Sequence, residues 1–401
     1  MTNKPHILFV DDEELILSGL KRGMRRHRGE WDMSFASSGA DACDIIAARP
    51  TDIIITDMQM PQMDGAELLE IVRKKSPDTA RVVLSGYAKD EVILKVIGPA
   101  HQYLAKPCDF RQIEDTITRI LRLRHCIENE AIRTAITGKT SLPSLPTIYQ
   151  NLLKELTNEY ATNKSIAAIL EQDIALKAQV LKVCNSAFFG LPQKVTNLET
   201  AVSLLGLNTL RSMTLLNGVF SSLDAKTQQC KSLQRLTANC LDLAIIAAQI
   251  AKISNFDSPI VDLVTSAGSL SHIGSLLIAA TWPAEFQKAA ALCERNPGIS
   301  IDYFEKQVIG IDHGLMGSYL LGLWGFPLPL CEAVAYHHTP HLIENRNHPI
   351  LACLHIAQYA AKAKAHNELT LDNLNDKLDL TFLDHQNISL TQDMLDQLSE
   401  N

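Results

Sequence analysis

The chain has 401 residues and a formal net charge of −8, from 45 acidic against 37 basic side chains. That length exceeds what one compact core accommodates, so at least two domains are expected; the acidic balance, with no basic stripe, argues against direct binding of DNA or RNA. No uninterrupted apolar run reaches the roughly 18 residues of a spanning helix, the start Met1-Thr2-Asn3-Lys4 is polar, and the nine cysteines are scattered without a Cys-x-x-Cys pair. A cytoplasmic protein without membrane contact, its cysteines reduced and packed, is the expectation.

Residues 1–122 alternate strand-like runs with amphipathic stretches, the pattern of a doubly wound α/β domain with a parallel sheet. Five strands are expected at 6–10, 33–36, 53–55, 81–84 and 102–104. Helical spacing recurs in Leu15-Ile16-Leu17, Ala42-Ile45-Ile46 and Leu68-Leu69-Ile71-Val72, and Asp109 with Gln112 reads as a capping box for the last helix. The basic run 21–28 falls on a helix and loop, where a solvated face is its ordinary role.

In open parallel sheets, ligands bind beyond the carboxyl ends of the strands. That rule selects Asp11 and Asp12 after the first strand, Asp57 after the third, Ser85 after the fourth and Lys106 after the fifth. Three neighbouring carboxylates repel one another unless a hard, oxygen-preferring cation such as Mg²⁺ sits among them. The same cation and the Lys106 ammonium would neutralise charge on a phosphoryl group arriving at Asp57.

These residues, in Val10-Asp11-Asp12-Glu13, Thr56-Asp57-Met58-Gln59-Met60-Pro61, Met63-Asp64-Gly65, Leu84-Ser85-Gly86-Tyr87 and Leu104-Ala105-Lys106-Pro107, resemble the receiver domain of two-component response regulators. The resemblance covers residues 5–122. It implies that Asp57 accepts the phosphoryl group and that Asp11, Asp12, Asp57 and the backbone carbonyl of Gln59 hold Mg²⁺. It further implies that Ser85 is the switch hydroxyl, Tyr103 the switch aromatic, Lys106 the phosphate-binding lysine, and the Lys106–Pro107 peptide cis.

The last helix of this domain is expected to run on through a linker, 123–140, and to end at Gly138. Its apolar residues Ile113, Ile117, Ile120, Leu123 and Ile127 lie near a heptad, which suits pairing with a second copy in a homodimer or packing along the next domain. From Leu142 onward the pattern is all-α: 141–345 form a helical domain, and 346–401 a C-terminal helical extension with a helix at 350–363. Pro146, Asn163, Asn197 and Ser258 mark helix starts.

Leu145-Pro146-Thr147-Ile148-Tyr149, Ile169-Leu170-Glu171-Gln172-Asp173, Asn185-Ser186-Ala187-Phe188-Phe189-Gly190 and Ala201-Val202-Ser203-Leu204-Leu205-Gly206 resemble the HDOD domain. Gly310-Ile311-Asp312-His313 and Tyr336-His337-His338 continue the likeness. The resemblance implies a catalytically silent relative of the HD and HD-GYP metal-dependent phosphohydrolases. At the ligand positions of the active relatives stand Leu236, Ser271, His272, His313, His337, His338 and Gln358. With the His-Asp pair replaced by Ser271 and His272, no metal is expected in this domain and the histidines are expected to hydrogen-bond inside a former cleft; imidazoles alone would suit zinc, copper or nickel.

The joint expectation is a response regulator phosphorylated on Asp57 by a sensor histidine kinase. Its non-catalytic HDOD output would bind a downstream signalling protein, a kinase or a cyclic-dinucleotide enzyme. The rivals are a divergent metal-dependent phosphohydrolase acting on a cyclic dinucleotide or other phosphoester, and a sensor module whose helical cleft holds a small ligand.

Overall fold

The computed structural model describes residues 4–85, 100–127, 129–138, 161–170, 197–206 and 231–399 apart from 297, 346, 367, 387 and 389, together with 151, 152, 155, 180, 195, 209 and 210. The chain divides into two compact units: Met1–Ser144 with Tyr319–Phe326, and Leu145–Ser318 with Pro327–Asn401.

In the first unit, β1 (His6–Val10), β2 (Asp32–Ala36), β3 (Ile53–Asp57), β4 (Ala80–Ser85) and β5 (Gln102–Ala105) form one parallel sheet in the order β2-β1-β3-β4-β5. Strands covered on both faces must be apolar on both faces, which is why Ile7-Leu8-Phe9-Val10 and Ile53-Ile54-Ile55 read as continuous runs and are buried. The register aligns the carboxyl ends: Val10 pairs with Thr56, Asp57 with Leu84 and Ser85 with Ala105.

Among the described residues before Ser144, the α-helices are α1 (Glu14–Gly23), α2 (Gly39–Ala48), α3 (Gly65–Lys75), α4 (Phe110–His125) and α5 (Glu130–Gly138), with a 3-10 helix at Met24–Gly29. Ser38 caps α2 by accepting from the Asp41 N–H. The reciprocal capping box belongs to α3, between Asp64 and Glu67. At α4 the expected box does not form: Asp109 accepts from the Arg111 N–H, while the Gln112 side chain turns to Cys108.

The expected continuous helix to Gly138 is also corrected. It stops at His125, and Asn129 starts a new one by accepting from the Ala131 N–H at 2.9 Å. An Asn side chain that competes for helix-start N–H groups is enough to divide an otherwise helical pattern. Ile113, Ile117, Ile120, Leu123 and Ile127 are all buried, so the near-heptad is a packed face within the chain.

Among its described residues the second unit has helices and connecting turns but no strand. The helices Asn163–Leu170 and Leu198–Leu205 share a small core of Ile166, Leu170, Leu198, Ala201, Val202 and Leu205, and Asn197 caps the latter by accepting from the Glu199 N–H. The larger core forms where Lys231–Ile253, Ser258–Leu270, Leu328–Tyr336 and Pro349–Ala365 pack on one another. Residues 346–401 therefore belong to this unit. Asp257 caps the helix that begins at Ser258. Ser258–Thr281 is long and apolar enough to cross a membrane by length and composition, but most of it is buried within the protein and it breaks at Ser271 and His272. The helix start at Pro146 and the stretches 145–149, 171–173 and 185–190 lie outside the described residues.

One buried titratable group makes the first unit sensitive to acid. His101, at the start of β5, accepts the Arg81 N–H on Nδ1 at 3.0 Å, and its Nε2 lies 3.3 Å from the Thr137 carbonyl. Burial, followed by the Arg81 charge, holds its pKa well below the ordinary 6.5. The unfolded chain therefore takes up this proton first, and stability is lost as pH falls below about 6.5, by up to ~1.4 kcal/mol per pH unit for one proton. His101→Asn, which keeps an acceptor for Arg81, is expected to flatten that loss in urea unfolding between pH 7 and pH 5. An unchanged slope would remove His101 as its source.

Candidate functional site

The parallel register brings Asp11, at the end of β1, and Asp57, at the end of β3, to one edge of the sheet. Lys106, just past β5, reaches back between them. Its Nζ lies 2.6 Å from Asp57 Oδ1 and 3.0 Å from Asp11 Oδ2. The second Asp57 oxygen accepts the Gln59 N–H at 3.2 Å, and the second Asp11 oxygen accepts the Glu13 N–H at 2.9 Å. Asp11 is buried at 1% exposure and Asp57 at 8%, so these partners replace the hydrogen bonds that water cannot supply. Burial pushes the Lys106 ammonium towards losing its proton; the hydrogen bonds it donates to Asp57 and Asp11 outweigh that, and its pKa lies above the ordinary lysine value.

Asp12 is exposed and lines, with Met58, Gln59, Met60, Pro61 and Asp64, an open depression beside the pair. The loop after β3 is held close by Gly65, whose N–H donates to the Met58 carbonyl at 2.9 Å. A Cβ on Gly65 would stand 2.2 Å from the Asp57 carbonyl oxygen, so only glycine permits this approach. The Lys106–Pro107 peptide is cis, as the resemblance implied. Ser85 ends β4 and Tyr103 lies within β5, opposite Val83; their side chains lie outside the described residues. The donors facing one another here are carboxylates with the Gln59 carbonyl nearby in sequence, an all-oxygen set of the kind that suits Mg²⁺.

In the helical unit, His272, His313, His337 and His338 come together from three places. His272 lies at the break before Ile273–Thr281, His313 opens the helix His313–Leu323, and His337 and His338 follow Leu328–Tyr336. Each offers a ring nitrogen, and these atoms all lie within 4.8 Å of one another. Two glycines allow the backbones this close. A Cβ on Gly274 would stand 1.9 Å from the His313 carbonyl oxygen, and one on Gly314 would stand 2.8 Å from that of Ala335. Burial, then the neighbouring imidazoles, pushes His337 down to about 3 and holds His272 and His338 well below the ordinary value. For His313, burial acts downward, but the Glu305 carboxylate prevails and the pKa is raised.

The remaining residues at these positions take other roles. Leu236 is half-buried on Lys231–Ile253, and Ser271 donates to the Gly268 carbonyl at 2.9 Å. Gln358 donates to the His337 carbonyl, which also accepts from His355 Nδ1 at 2.8 Å, so it steadies the turn that carries His337. Glu305 escaped the sequence reading. Wholly buried, it accepts from the His313 N–H at 2.9 Å, contacts His313 Nδ1 at 2.6 Å and accepts from the Ser275 hydroxyl at 3.2 Å. Its only sequence signal is a Glu beside Phe304 on the apolar side of an otherwise amphipathic helix.

With this geometry in view, the comparisons with known proteins divide the chain in the same way. The response regulator receiver domain family matches residues 7–118, and the HDOD domain family matches residues 142–340. The uncharacterized transcriptional regulatory protein YesN of Bacillus subtilis (strain 168) is 36% identical over 123 residues, which are 29% of this chain and 32% of that protein. The response regulator protein PilR of Pseudomonas aeruginosa is 29% identical over 125 residues, 31% of this chain and 28% of that protein. The chain thus spans about a third of the length of these curated relatives. A solved structure from Shewanella amazonensis SB2B, named as a conjectural phosphohydrolase, is 24% identical with a TM-score of 0.52, covering 68% of this chain and 94% of its own; this is a likeness of fold. The fold and the strand-end site define a two-component signalling architecture. The chain is a response regulator receiver domain followed by an HDOD domain.

The close approach at Gly274 is open to a direct test. Gly274→Ala is expected to destabilise the helical unit by about 2 kcal/mol or more, because backbone must move to admit the methyl group. Gly298→Ala, which meets nothing within 4 Å, is the matched control and is expected to be near neutral. Urea unfolding of both variants checks this, and equal midpoints would contradict the packing argument.

Proposed function

We propose that the chain is a phosphorylation-controlled response regulator in which Asp57 accepts a phosphoryl group from a histidine kinase. The observation that carries the reading is the Lys106 ammonium lying between Asp57 and Asp11 at the carboxyl edge of the sheet. In the transfer, an Asp57 carboxylate oxygen attacks the phosphorus of a phosphohistidine. The P–N bond breaks, an acyl phosphate forms, and the departing imidazole takes up a proton. Mg²⁺, held by Asp11, Asp12, Asp57 and the Gln59 carbonyl, would supply charge neutralisation for the transferring oxygens.

The chain's own groups account for the switch. Phosphorylation raises the local charge at Asp57 from −1 to about −2, so Lys106 is drawn more strongly towards Asp57 and away from Asp11. Ser85, at the end of β4, is placed by sequence to hydrogen-bond the new oxygens, and Tyr103 lies on the adjacent strand, in register two residues earlier. Movement of these strand ends would then alter the face that the receiver offers to its output.

The HDOD output is read as a binding module whose target is another signalling protein, a kinase or a cyclic-dinucleotide enzyme. The support is chemical. Where active relatives have the Asp of the His-Asp pair, this chain has His272, preceded by Ser271, and the buried carboxylate nearby, Glu305, is already engaged by His313 and Ser275. A hydrolytic metal site keeps a position open for water, and the Asp that would bring anionic charge to it is absent from the pair here.

Labelling of the full chain with a small-molecule phosphoryl donor such as acetyl phosphate, in the presence of Mg²⁺, tests the acceptor. Asp57→Asn is expected to reduce the label to background, whereas Lys106→Ala keeps some label but loses the phosphorylation-dependent change in the output. Full labelling of Asp57→Asn would defeat the reading.

A further inference from the structure

We propose that His272, His313, His337 and His338 form a four-imidazole zinc site in the HDOD domain. It would be a closed structural site rather than a hydrolytic one. The proposal stands on the helical unit alone and does not depend on the phosphorylation reading.

The argument begins with where the ring protons sit. His313 Nδ1 faces Glu305 Oε2 at 2.6 Å, and His337 Nδ1 faces the Val334 carbonyl at 2.8 Å; both acceptors require an N–H on Nδ1. His272 Nδ1 lies 2.9 Å from the Ser271 oxygen, whose own proton is given to the Gly268 carbonyl, so His272 also donates through Nδ1. His338 Nδ1 lies 3.7 Å from Asp302 Oδ1, a buried oxygen without a hydrogen-bond partner. In the first three rings Nδ1 is thereby engaged and Nε2 is the nitrogen left for an ion; the 3.7 Å separation at His338 is too long for a hydrogen bond, so nothing holds its proton on Nδ1.

One of these nitrogens has no partner at all, and two others face each other. His337 Nε2 is buried and has no hydrogen-bond partner, in a side chain of 0% exposure. His338 Nε2 and His313 Nε2 face each other at 3.2 Å. A proton on one of them makes this a hydrogen bond, and a cation in its place would be bound by both lone pairs. Tetrahedral zinc with N ligands at about 2.0–2.1 Å requires N···N edges of roughly 3.3 Å, close to this separation. The ring centroids lie between 4.0 and 6.5 Å apart, around the ~5 Å that the same geometry demands.

Charge points the same way. Four neutral imidazoles leave the two positive charges of zinc uncancelled, and the carboxylates of Glu305 and Asp302 stand behind two of the rings to cancel them. A ligating histidine that passes its other N–H to a carboxylate is the usual support of a zinc ligand. Nitrogen donors without a facing carboxylate favour zinc over magnesium or calcium. With four protein ligands there is no open position for a water, so the ion would tie the His272 break to the start of one helix and the end of another.

The test uses full-length protein purified without an affinity metal, freed of metal by a chelator and then titrated with zinc against a competing chromophoric chelator. One zinc per chain is expected, with a raised thermal midpoint through preferential binding to the folded state, and both effects are lost in His338→Gln. Cobalt in place of zinc is expected to give the intense visible bands of tetrahedral nitrogen coordination, unchanged in Asp57→Asn. Native circular dichroism without stoichiometric zinc would overturn the proposal, as would zinc binding that survives in His338→Gln or a pale octahedral cobalt spectrum. Copper or nickel in place of zinc in the protein as isolated from cells would overturn the zinc assignment. Should His338→Gln fail to fold, the cobalt spectrum of the unaltered chain decides.

Discussion

The receiver half depends on one electrostatic constraint: two nearly buried carboxylates, Asp11 and Asp57, are tolerated at neighbouring strand ends because the Lys106 ammonium lies between them. Desolvating an unpaired carboxylate costs several kcal/mol, and two side by side cost more. The parallel register is what brings the compensating cation within reach, since β1, β3 and β5 all deliver their last residues to the same edge of the sheet. Gly65 completes the arrangement by letting the following helix start against the Asp57 carbonyl.

The helical half meets a related problem with a different solution. Here the buried polar groups are four imidazoles, brought together by glycine contacts at Gly274 and Gly314 that let helix ends and backbones touch. Their Nδ1 atoms are satisfied by Glu305, Val334 and Ser271, with Asp302 beyond His338. What is left is a set of inward-facing nitrogens. The two units thus present opposite donor chemistry, hard oxygen at the sheet edge and nitrogen among the helices, and the kinds of ion each suits differ accordingly.

Much of the first unit could be read from the chain itself. Its central strands β1 and β3 are short and largely apolar on both faces, and its chemistry sits in fixed positions after the strands, so pattern and site agree. Local competition was harder to read. Asp109 and Gln112 have box spacing, yet Gln112 turns to Cys108 and the box forms instead at Asp64 and Glu67. The apolar stripe continues past His125, yet Asn129 interrupts it with its own hydrogen bond. Each of these choices turns on about 1 kcal/mol between alternative partners for a backbone N–H, too little for a residue pattern to reveal.

The sequence by itself determined the alternation of strands and helices, the change to an all-helical second half, and the residue types at the strand ends, because these follow from short-range periodicity and from side-chain chemistry. Only the tertiary structure decided that Lys106 bridges Asp11 and Asp57, that Gln358 holds the His337 carbonyl rather than facing the histidines, and that Glu305 stands behind His313. It likewise decided that histidines separated by up to 66 positions share one cluster. Such contacts are set by helix packing and backbone approach across long stretches of chain. No local pattern of residues encodes a distance between side chains that only the folded backbone brings together.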